Sequence, residues 1–349
     1  MGRVTNSDSE IDEPVRFCTL ADAHYYPGLV ALVNSLRLQG HNEPISVLDL
    51  GLTARQRAAL AGECEFVPVP PGPPRHPWLL EPVACRARAA EMVVYLDADI
   101  IVTRPLHDLI ARARSGSIVV FPDEQPDRWF AEWQEIFDLP HPPRHQVYVN
   151  AGFLAVSTER HPTLLDEWGR CCEAIIGRPT VRDDRKNVLT PVGLSSQDAL
   201  NALFMSAIPE AALDVQPFGA EVQKPQLRLA RVHDTRTLEC TFDGRPVTLL
   251  HHWGIRKPWN TTVRGYTVNA YSTCLRRLLV ANDVAVPVDP REVPRWLRPG
   301  PVGAVAHALI HHALPAARRV LVPLRRRGSH PAEDPVAVPV PATADAPNR

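Results

Sequence analysis

Several classes of protein are disfavoured by what this sequence lacks. It has no uncharged apolar run near the roughly 20 residues that span a bilayer. Residues 1–14 are polar and acidic, without the apolar core of a secretory signal. Its seven cysteines include no C-x-x-C pair, so we expect reduced thiols in a cytoplasmic protein, not zinc ligands or a disulfide framework. The formal net charge is only −1 and no basic patch dominates, so nucleic acid is not an expected partner.

Strand-like apolar runs and helical patterns alternate along the first third of the chain. The pattern predicts strands at 16–20, 45–50, 65–69, Met92–Leu96 and 117–121, and helices at 26–39, from 53, at 81–90 and at 105–114. Helical patterns recur at 163–176 and 197–207, and a last strand is predicted at 247–251. Thr53 and Gln56 stand in the register of a helix capping box. This alternation favours an α/β fold with a mostly parallel sheet.

The strongest local motif is Asp97-Ala98-Asp99, which directly follows the apolar run Met92–Leu96. Such a run is typical of a strand buried on both faces, and in open α/β sheets ligands bind beyond the carboxyl ends of strands. Asp97 and Asp99 are two residues apart in an extended segment, so both can face one cation, and their oxygens suit Mg²⁺ or Mn²⁺. The alternative is an Asp pair that only caps the next turn, because D-x-D alone is a weak motif.

A second motif, H-x-x-G-x-x-K-P-W, begins at His251 and follows the last predicted strand. The His251 imidazole would complete a mixed nitrogen and oxygen site for Mn²⁺. Gly254 would let the backbone approach a phosphate, and Lys257 would place a positive charge beside a diphosphate. The alternative, a core histidine followed by a tryptophan-rich loop, leaves Gly254 and Lys257 unexplained.

With these motifs in order, residues 16–262 resemble glycosyltransferase family 8, which includes glycogenin and bacterial lipopolysaccharide galactosyltransferases. The matching blocks are 17–26 (FCTLADAHYY), 46–60 (SVLDLGLTARQRAAL), 95–102 (YLDADIIV), 150–154 (NAGFL), 196–201 (SQDALN) and 251–259. The resemblance implies a GT-A nucleotide-diphospho-sugar transferase fold, which is a mostly parallel twisted sheet with helices on both faces. It also implies transfer of a sugar from a UDP-sugar to an acceptor, with retention of configuration and with Mn²⁺ or Mg²⁺ as cofactor.

The resemblance further implies a role for each matched residue. It implies that Asp97, Asp99 and His251 bind the metal and that Gly254 and Lys257 contact the diphosphate. It implies that Asp22 and Tyr25 bind the base, which is usually uracil. It also implies that Asn150 and Gly152 contact the donor sugar and that Gln197 and Asp198 lie by the anomeric carbon. As alternatives to these binding roles, Tyr25 could only pack at the start of a helix and Asn150 could only be a turn residue. A covalent intermediate on Asp198 and a same-face attack stabilised by Gln197 are both open as mechanisms.

Two positions depart from the pattern of the family. Ser196 replaces the first acid of the family's D-Q-D block, and Glu81 stands where a basic residue usually reaches the donor, with Arg86 or Arg88 as candidate substitutes. These departures leave open a degenerate transferase that only binds a nucleotide sugar. A haloacid-dehalogenase-like phosphatase with Asp97 as nucleophile is a further alternative, although it leaves the second motif unused.

Composition divides the chain into four parts. We predict a flexible tail at 1–14, a catalytic domain at 15–288, a basic and apolar helical segment at 289–327 and a disordered Pro/Ala-rich tail at 328–349. Residues 301–327 favour either peripheral contact with the anionic inner membrane face or a helix packed on the catalytic domain. The acceptor, which is a saccharide, a lipid-linked glycan or a small molecule, is expected at loops 123–144 and 178–194.

Overall fold

The computed structural model describes residues 15–72, 75–180, 183–254, 256–260 and 268–298, together with residues 301, 303, 305 and 309. Its strands are β1 (Val15–Ala21), β2 (Ile45–Asp49), β3 (Cys64–Pro68), β4 (Met92–Leu96), β5 (Ile100–Val102), β6 (Ile118–Pro122), β7 (Val149–Ser157), β8 (Leu213–Val215), β9 (Glu221–Gln223), β10 (Arg231–Asp234), β11 (Glu239–Phe242), β12 (Arg245–Pro246) and β13 (Leu249–His251). Its α-helices are α1 (Tyr26–Leu38), α2 (Ala54–Leu60), α3 (Glu81–Cys85), α4 (His107–Arg114), α5 (Trp133–Ile136), α6 (Leu164–Glu173), α7 (Ser196–Ser206) and α8 (Ala270–Val280).

A seven-stranded sheet in the order β3-β2-β1-β4-β7-β6-β8 forms the centre of the described chain. Within this sheet β7 runs antiparallel to β4 and β6, and the other six strands point the same way. Both faces of β4 are buried. Val93 and Tyr95 on one face belong to an apolar core shared with α3, α6 and α7. Val94 and Leu96 alternate with them along the strand, so they lie on the other face, and they are also buried. The predicted mostly parallel α/β sheet is confirmed.

Helix α1 packs against β5 and α8, apart from the core that α3, α6 and α7 share. The buried Asn34 of α1 fixes this packing. Its Nδ2 donates to the carbonyls of Leu278 and Val286, both at 2.9 Å, and its Oδ1 accepts from the Val286 N–H at 2.7 Å. Because a fully satisfied buried amide specifies one arrangement, Asn34 holds α8 and the segment after it on α1.

A small sheet in the order β5-β13-β9 brings the second sequence motif to the first. Strand β5 begins directly after Asp99, and β13 runs antiparallel to it with His251 opposite Ile100. On its other side β13 runs parallel to β9, with His251 opposite Gln223. The His252 N–H also donates to the Asp99 carbonyl at 3.1 Å. Backbone pairing therefore sets His251 beside the D-x-D segment.

The predicted strands are confirmed, with ends shifted by at most two residues. The capping box is confirmed as well, because Thr53 Oγ1 accepts from the Gln56 N–H at 3.2 Å and Gln56 Oε1 accepts from the Thr53 N–H at 2.9 Å. The predicted helix at 81–90 is wrong beyond Cys85. There the Arg86 N–H bonds back to the Val83 carbonyl, three residues earlier, and the chain turns toward β4. Helices α5 and α8 and strands β5 and β8 to β12 were not predicted; these strands have only two to four residues each and therefore carry little periodicity.

The predicted tails 1–14 and 328–349 lie outside the described residues, and so does most of the predicted segment 289–327. The described start of that segment contacts α2. Arg55 forms an ion pair with Asp289, and Gln56 Nε2 donates to Glu292 Oε2 at 2.8 Å. The domain boundary at residue 288 stays a prediction. In the part of the chain that the structure describes, no helix is both long and apolar enough to cross a membrane.

Candidate active site

The three predicted metal ligands lie together where β4, β5 and β13 meet. His251 Nε2 is 3.3 Å from Asp99 Oδ1 and 3.6 Å from Asp97 Oδ2. One candidate ligand atom from each residue lies within 4.8 Å of the others. His251 and Asp99 are buried, whereas 32% of the Asp97 side chain is exposed. Asp97, Asp99 and His251 are candidate ligands and are called the metal-ligand cluster below; this cluster is open on one side, which a catalytic metal site would require.

The orientation of the His251 ring suits a metal ligand. Its Nδ1 is 2.8 Å from the buried Oε1 of Glu221 in β9. Its Nε2 is buried and makes no well-aligned hydrogen bond with any described residue, although carboxylate oxygens of Asp99 and Asp97 lie 3.3 and 3.6 Å away. A metal-binding histidine commonly donates from its second nitrogen to a carboxylate, which fixes the ring and its tautomer. The residues present therefore fit a divalent cation that accepts oxygen and nitrogen ligands, such as Mn²⁺.

Negative charge surrounds the His251 ring. Burial lowers the pKa of His251, but Asp99, Asp97 and Glu221 raise that pKa by more, and the net pKa lies well above the ordinary value for histidine. The cluster thus stabilises a positive charge at Nε2. A proton or a metal ion bound at Nε2 would supply the positive charge that the three surrounding carboxylates favour.

Lys257 lies against the metal-ligand cluster, and only 2% of the residue is exposed. Its Nζ forms an ion pair with Asp99 Oδ2 and donates to the His252 carbonyl at 2.8 Å. Burial raises the pKa of Asp99, but Lys257 and His251 lower it by more, so Asp99 is ionised at neutral pH. Gly254, between the two ends of this motif, has φ +91°, a conformation that favours glycine.

Strand β7 contacts the cluster through a glycine. The Asp97 N–H donates to the Gly152 carbonyl at 2.9 Å, and the Tyr95 hydroxyl donates to Asp97 Oδ1 at 2.7 Å. A Cβ added to Gly152 would lie 2.5 Å from His251 Cε1 and 3.1 Å from Asp97 Oδ2. Close approach of β7 to the cluster therefore requires glycine at this position.

Asn150 and Gln197 both donate hydrogen bonds to the carboxylate of Asp123, a site residue that sequence reasoning missed. Its Oδ2 accepts from Asn150 Nδ2 and from Gln197 Nε2, each at 3.1 Å. Asn150 Oδ1 accepts from the Gly152 N–H at 2.8 Å, and Gln197 Oε1 accepts from the Ala151 N–H at 3.1 Å. Asp123 directly follows β6, which is parallel to β4, so the strand-end rule that singled out Asp97 could have found it.

Asp198 is placed differently from its predicted role by the anomeric carbon. It is fully buried, and Arg128 Nε and Nη2 donate to its two oxygens at 2.6 and 2.8 Å. The Tyr148 hydroxyl also donates to Oδ1 at 2.8 Å, and the Leu194 N–H donates to Oδ2 at 2.7 Å. With two donors on each oxygen, the carboxylate is committed to holding the start of α7. This arrangement argues against a nucleophile.

Asp22 and Tyr25, the predicted base-binding residues, lie in the loop between β1 and α1. Asp22 Oδ1 accepts from the N–H groups of His24 at 2.9 Å and Tyr25 at 3.0 Å, so Asp22 also shapes this loop. The Tyr25 ring meets Trp259 edge-on, with 6.2 Å between centroids, and Lys257 Nζ lies 5.2 Å from the Tyr25 centroid. Trp259 Nε1 donates to the His24 carbonyl at 2.6 Å. The second motif therefore packs on this loop.

The two departures from the family pattern contact each other. Ser196 Oγ donates to Glu81 Oε2 at 2.7 Å, and both residues are buried. Burial and then the charge of Asp97 raise the pKa of Glu81 well above its ordinary value. These two effects favour the protonated form of the Glu81 carboxyl group.

The expected substitutes for a basic residue at position 81 are engaged elsewhere. Arg86 forms an ion pair with Asp166 of α6. Arg88 forms an ion pair with Glu65 of β3. Neither guanidinium replaces the missing positive charge in this conformation.

A second group of candidate ligands, His41, Glu43 and His107, does not fit a metal. The Leu106 N–H donates to His41 Nε2 at 2.8 Å, so that nitrogen carries no proton. Burial lowers the pKa of His41, and the neutral ring must then hold its proton on Nδ1. Nδ1 faces Glu43, and a metal there would have to displace that proton.

Comparisons with known proteins bear on the fold. No protein-family model matches the chain, and no curated protein matches its sequence. An active-site mutant of LgtC is 20% identical, with 78% of this chain and 98% of that one covered and a TM-score of 0.50. The galactosyltransferase LgtC in complex with donor and acceptor sugar analogues is 19% identical over 77% and 98% of the two chains, also at 0.50. The bifunctional glycosyltransferase WbbM without ligands is 15% identical over 82% of this chain and 51% of its own, at 0.51.

These likenesses are structural, since the identities are at most 20%. They agree with the mixed sheet and with the flanking helices described above. The chain has the GT-A fold of these glycosyltransferases.

Proposed function

We propose that the protein is a metal-dependent glycosyltransferase that moves a sugar from a nucleotide-diphosphate donor, a UDP-sugar, to an acceptor. The observation that carries the proposal is the buried Nε2 of His251, which Glu221 holds toward Asp97 and Asp99 and which lies 3.3 Å from Asp99 Oδ1 without a well-aligned hydrogen bond. The GT-A fold supports it, because LgtC, of the same fold, is described with donor and acceptor sugar analogues.

In this proposal Asp97, Asp99 and His251 hold Mn²⁺ or Mg²⁺. The metal supplies electrophilic stabilisation of the negative charge that develops on the leaving diphosphate. Lys257 keeps Asp99 ionised and brings its own positive charge within reach of the same charge. Glu221 keeps the His251 lone pair directed at the cluster. Gly254 lies in the turn that brings the motif backbone to the diphosphate.

The donor is held on both sides of the cluster. Tyr25 offers a ring face and Asp22 a carboxylate to the base, which we propose is uracil. Asn150 and Gly152 line the sugar pocket. The Gln197 amide, which Asp123 holds in place, is the proposed polar group beside the anomeric carbon.

We propose retention of configuration by attack on the same face. Asp198 has no oxygen available for a covalent intermediate, because Arg128, Tyr148 and Leu194 fill its acceptor positions. In this scheme the bond from the sugar to the diphosphate oxygen breaks, and the acceptor hydroxyl attacks from the same side. The hydroxyl proton passes to the departing diphosphate oxygen, so no separate general base is required.

The competing functions have less support. A phosphatase with Asp97 as nucleophile gives no role to His251 and Glu221, and the fold matches glycosyltransferases. A protein that binds the nucleotide sugar without turnover shares the same cluster. It is an outcome of the test below.

The test is calorimetric titration with UDP in the presence and absence of Mn²⁺, followed by assays for the slow hydrolysis of UDP-sugars. We expect UDP to bind tightly only with Mn²⁺, and Asp99→Asn and His251→Ala to lose this metal dependence. His233→Ala, at an exposed histidine on β10, is the matched control and should behave as wild type. Equal UDP affinity with and without Mn²⁺ in every protein would refute the proposal. Binding without any hydrolysis or transfer would identify a degenerate binder.

A further inference from the structure

The side chain of Gln56 connects residues 22–25, called the base loop below, to the C-terminal part of the described chain. Its Nε2 donates to the Ala23 carbonyl at 3.3 Å and to Glu292 Oε2 at 2.8 Å. Only 2% of Gln56 is exposed. The base loop is therefore linked, through one buried amide, to a residue outside the family-like region 16–262.

The orientation of the Gln56 amide is fixed by its third hydrogen bond. Gln56 Oε1 accepts from the Thr53 N–H at 2.9 Å in the capping box of α2, so the NH₂ group has to face away from Thr53. This group has two hydrogens, and Ala23 and Glu292 accept one each. Loss of the Glu292 carboxylate would leave a buried hydrogen without an acceptor, which favours a displaced amide and a weaker hold on Ala23.

Glu292 is placed by a β-turn over residues 289–292. The Glu292 N–H donates to the Asp289 carbonyl at 2.9 Å and closes this turn. Aspartate followed by proline at the first two positions favours such a turn. Arg55 of α2 forms an ion pair with Asp289, and the next residue, Gln56, reaches Glu292. Two consecutive residues of α2 thus hold the turn.

The base loop is held from two sides through neighbouring carbonyls. Trp259 Nε1 donates to the His24 carbonyl at 2.6 Å, and Gln56 Nε2 donates to the Ala23 carbonyl. The first contact comes from the second sequence motif, whereas the second depends on the turn described above. Ala23 directly follows Asp22, so a shift of the Ala23 carbonyl would also displace the carboxylate that we propose for the base.

We propose that Glu292 is a positioning residue for recognition of the nucleotide base, and that it holds the base loop in its binding conformation through Gln56. This inference rests on the proposed function. It extends the donor site to a residue beyond the family-like region. Because Glu292 acts on the base loop and not on the metal-ligand cluster, its loss should weaken contact with the base and spare contact with the diphosphate.

The experiment compares a ligand that has a base with one that has none. UDP and inorganic diphosphate are titrated calorimetrically, each with Mn²⁺, into wild type, Glu292→Ala and Glu292→Gln. Glu292→Ala should weaken UDP binding by about 3- to 10-fold, the effect of one hydrogen bond, and leave diphosphate binding unchanged. Glu292→Gln keeps an oxygen that can accept from Gln56 Nε2, so it should restore most of the UDP affinity.

Two further variants complete the design. Asp283→Ala is the matched control, because it removes an exposed acid that pairs with Arg277 of α8, and it should bind both ligands as wild type does. Gln56→Glu provides the test if Glu292→Ala does not fold. It keeps an oxygen for the Thr53 N–H but turns a second carboxylate toward Glu292, so it should also weaken UDP binding selectively.

Each other outcome overturns a specific step. If Glu292→Ala binds UDP as tightly as wild type, or weakens UDP and diphosphate by the same factor, the positioning role is wrong and the proposed function stands. The same conclusion follows if Asp283→Ala reproduces the effect or Glu292→Gln does not relieve it. If wild type binds diphosphate as tightly as UDP, the base loop does not bind the base, although the metal site is retained. If wild type binds neither ligand with Mn²⁺, the proposed function fails as well.

Discussion

Glu221 allows the proposed metal centre to be weakened without changing any of its three proposed ligands. Its Oε1 accepts from His251 Nδ1 and its Oε2 accepts from Gln223 Nε2, both at 2.8 Å. Glu221→Gln keeps the shape but removes the charge. If the amide oxygen of the new glutamine accepts from His251, its NH₂ group faces Gln223 Nε2, which is also a donor. Gln223 Oε1 is buried without a partner and can turn to accept, at the loss of the bond from Nε2 to the Pro122 carbonyl.

The expected effect falls mainly on metal affinity. The rearranged amides cost about one hydrogen bond, which is roughly 1 kcal/mol of the free energy of unfolding. Removing the carboxylate behind a metal-bound histidine typically lowers metal affinity by about 10- to 100-fold. That range corresponds to about 1.4 to 2.7 kcal/mol of binding free energy. Manganese-dependent UDP binding should weaken by a similar factor.

The assay is calorimetric titration of Mn²⁺ and of UDP, with thermal melting to confirm the fold. Glu239→Gln removes an exposed carboxylate of the same type and should leave both affinities unchanged. If Glu221→Gln melts near wild type yet binds Mn²⁺ with wild-type affinity, His251 Nε2 is not a ligand and the reasoning about its orientation is wrong.

Four further predictions test other parts of the chain. Gly152→Ala places a Cβ 2.5 Å from His251 Cε1, so it should destabilise the fold by about 1 to 3 kcal/mol and abolish Mn²⁺-dependent UDP binding; normal binding by calorimetry would contradict the close approach. Asp198→Asn breaks a buried ion pair and should cost about 3 to 5 kcal/mol in denaturant titration, whereas a nucleophile would lose turnover without losing stability. Lys257→Met should slow UDP-sugar hydrolysis by at least about tenfold and change Mn²⁺ affinity by a smaller factor, since Lys257 also pairs with Asp99; the reverse pattern would assign Lys257 to the metal site alone. The predicted membrane role of 301–327, which lies almost wholly outside the described residues, predicts that the full chain floats with anionic liposomes at low salt and a chain ending at residue 298 does not; equal flotation would refute it.

The position of each motif at the end of a strand was predictable from strand patterns. Met92–Leu96 reads as a strand buried on both faces, and its carboxylates come at the end where α/β sheets bind ligands. The strand before His251 was also visible as an apolar run. Neither pattern gives the pairing of β13 with β5, which brings His251 to Asp99 across a long stretch of chain. The ordered resemblance supplied that link.

Other site residues left no local signal. Glu221 lies in β9, a strand of three residues, and only its parallel pairing with β13 sets it behind His251. Asp198 stands in a matched block, so the sequence favoured a catalytic role. Its actual contacts depend on Arg128, 70 residues earlier and buried, which no spacing rule connects to α7.

The departures at Glu81 and Ser196 show how two apparently separate changes combine in the fold. They lie 115 residues apart, and each taken singly suggested a weakened site. The family pattern implies a basic residue on the first side of this contact and an acid on the second. Here the carboxylate comes from α3 and a hydroxyl from α7, so the contact retains one acid and loses its cation. Burial and the like charge of Asp97 raise the pKa of Glu81 and so favour its protonated form, which means that the contact need not carry a charge. A single hydrogen bond between a carboxyl group and a hydroxyl therefore stands where the family pattern would place an acid and a base, and neither position indicates this when it is considered alone.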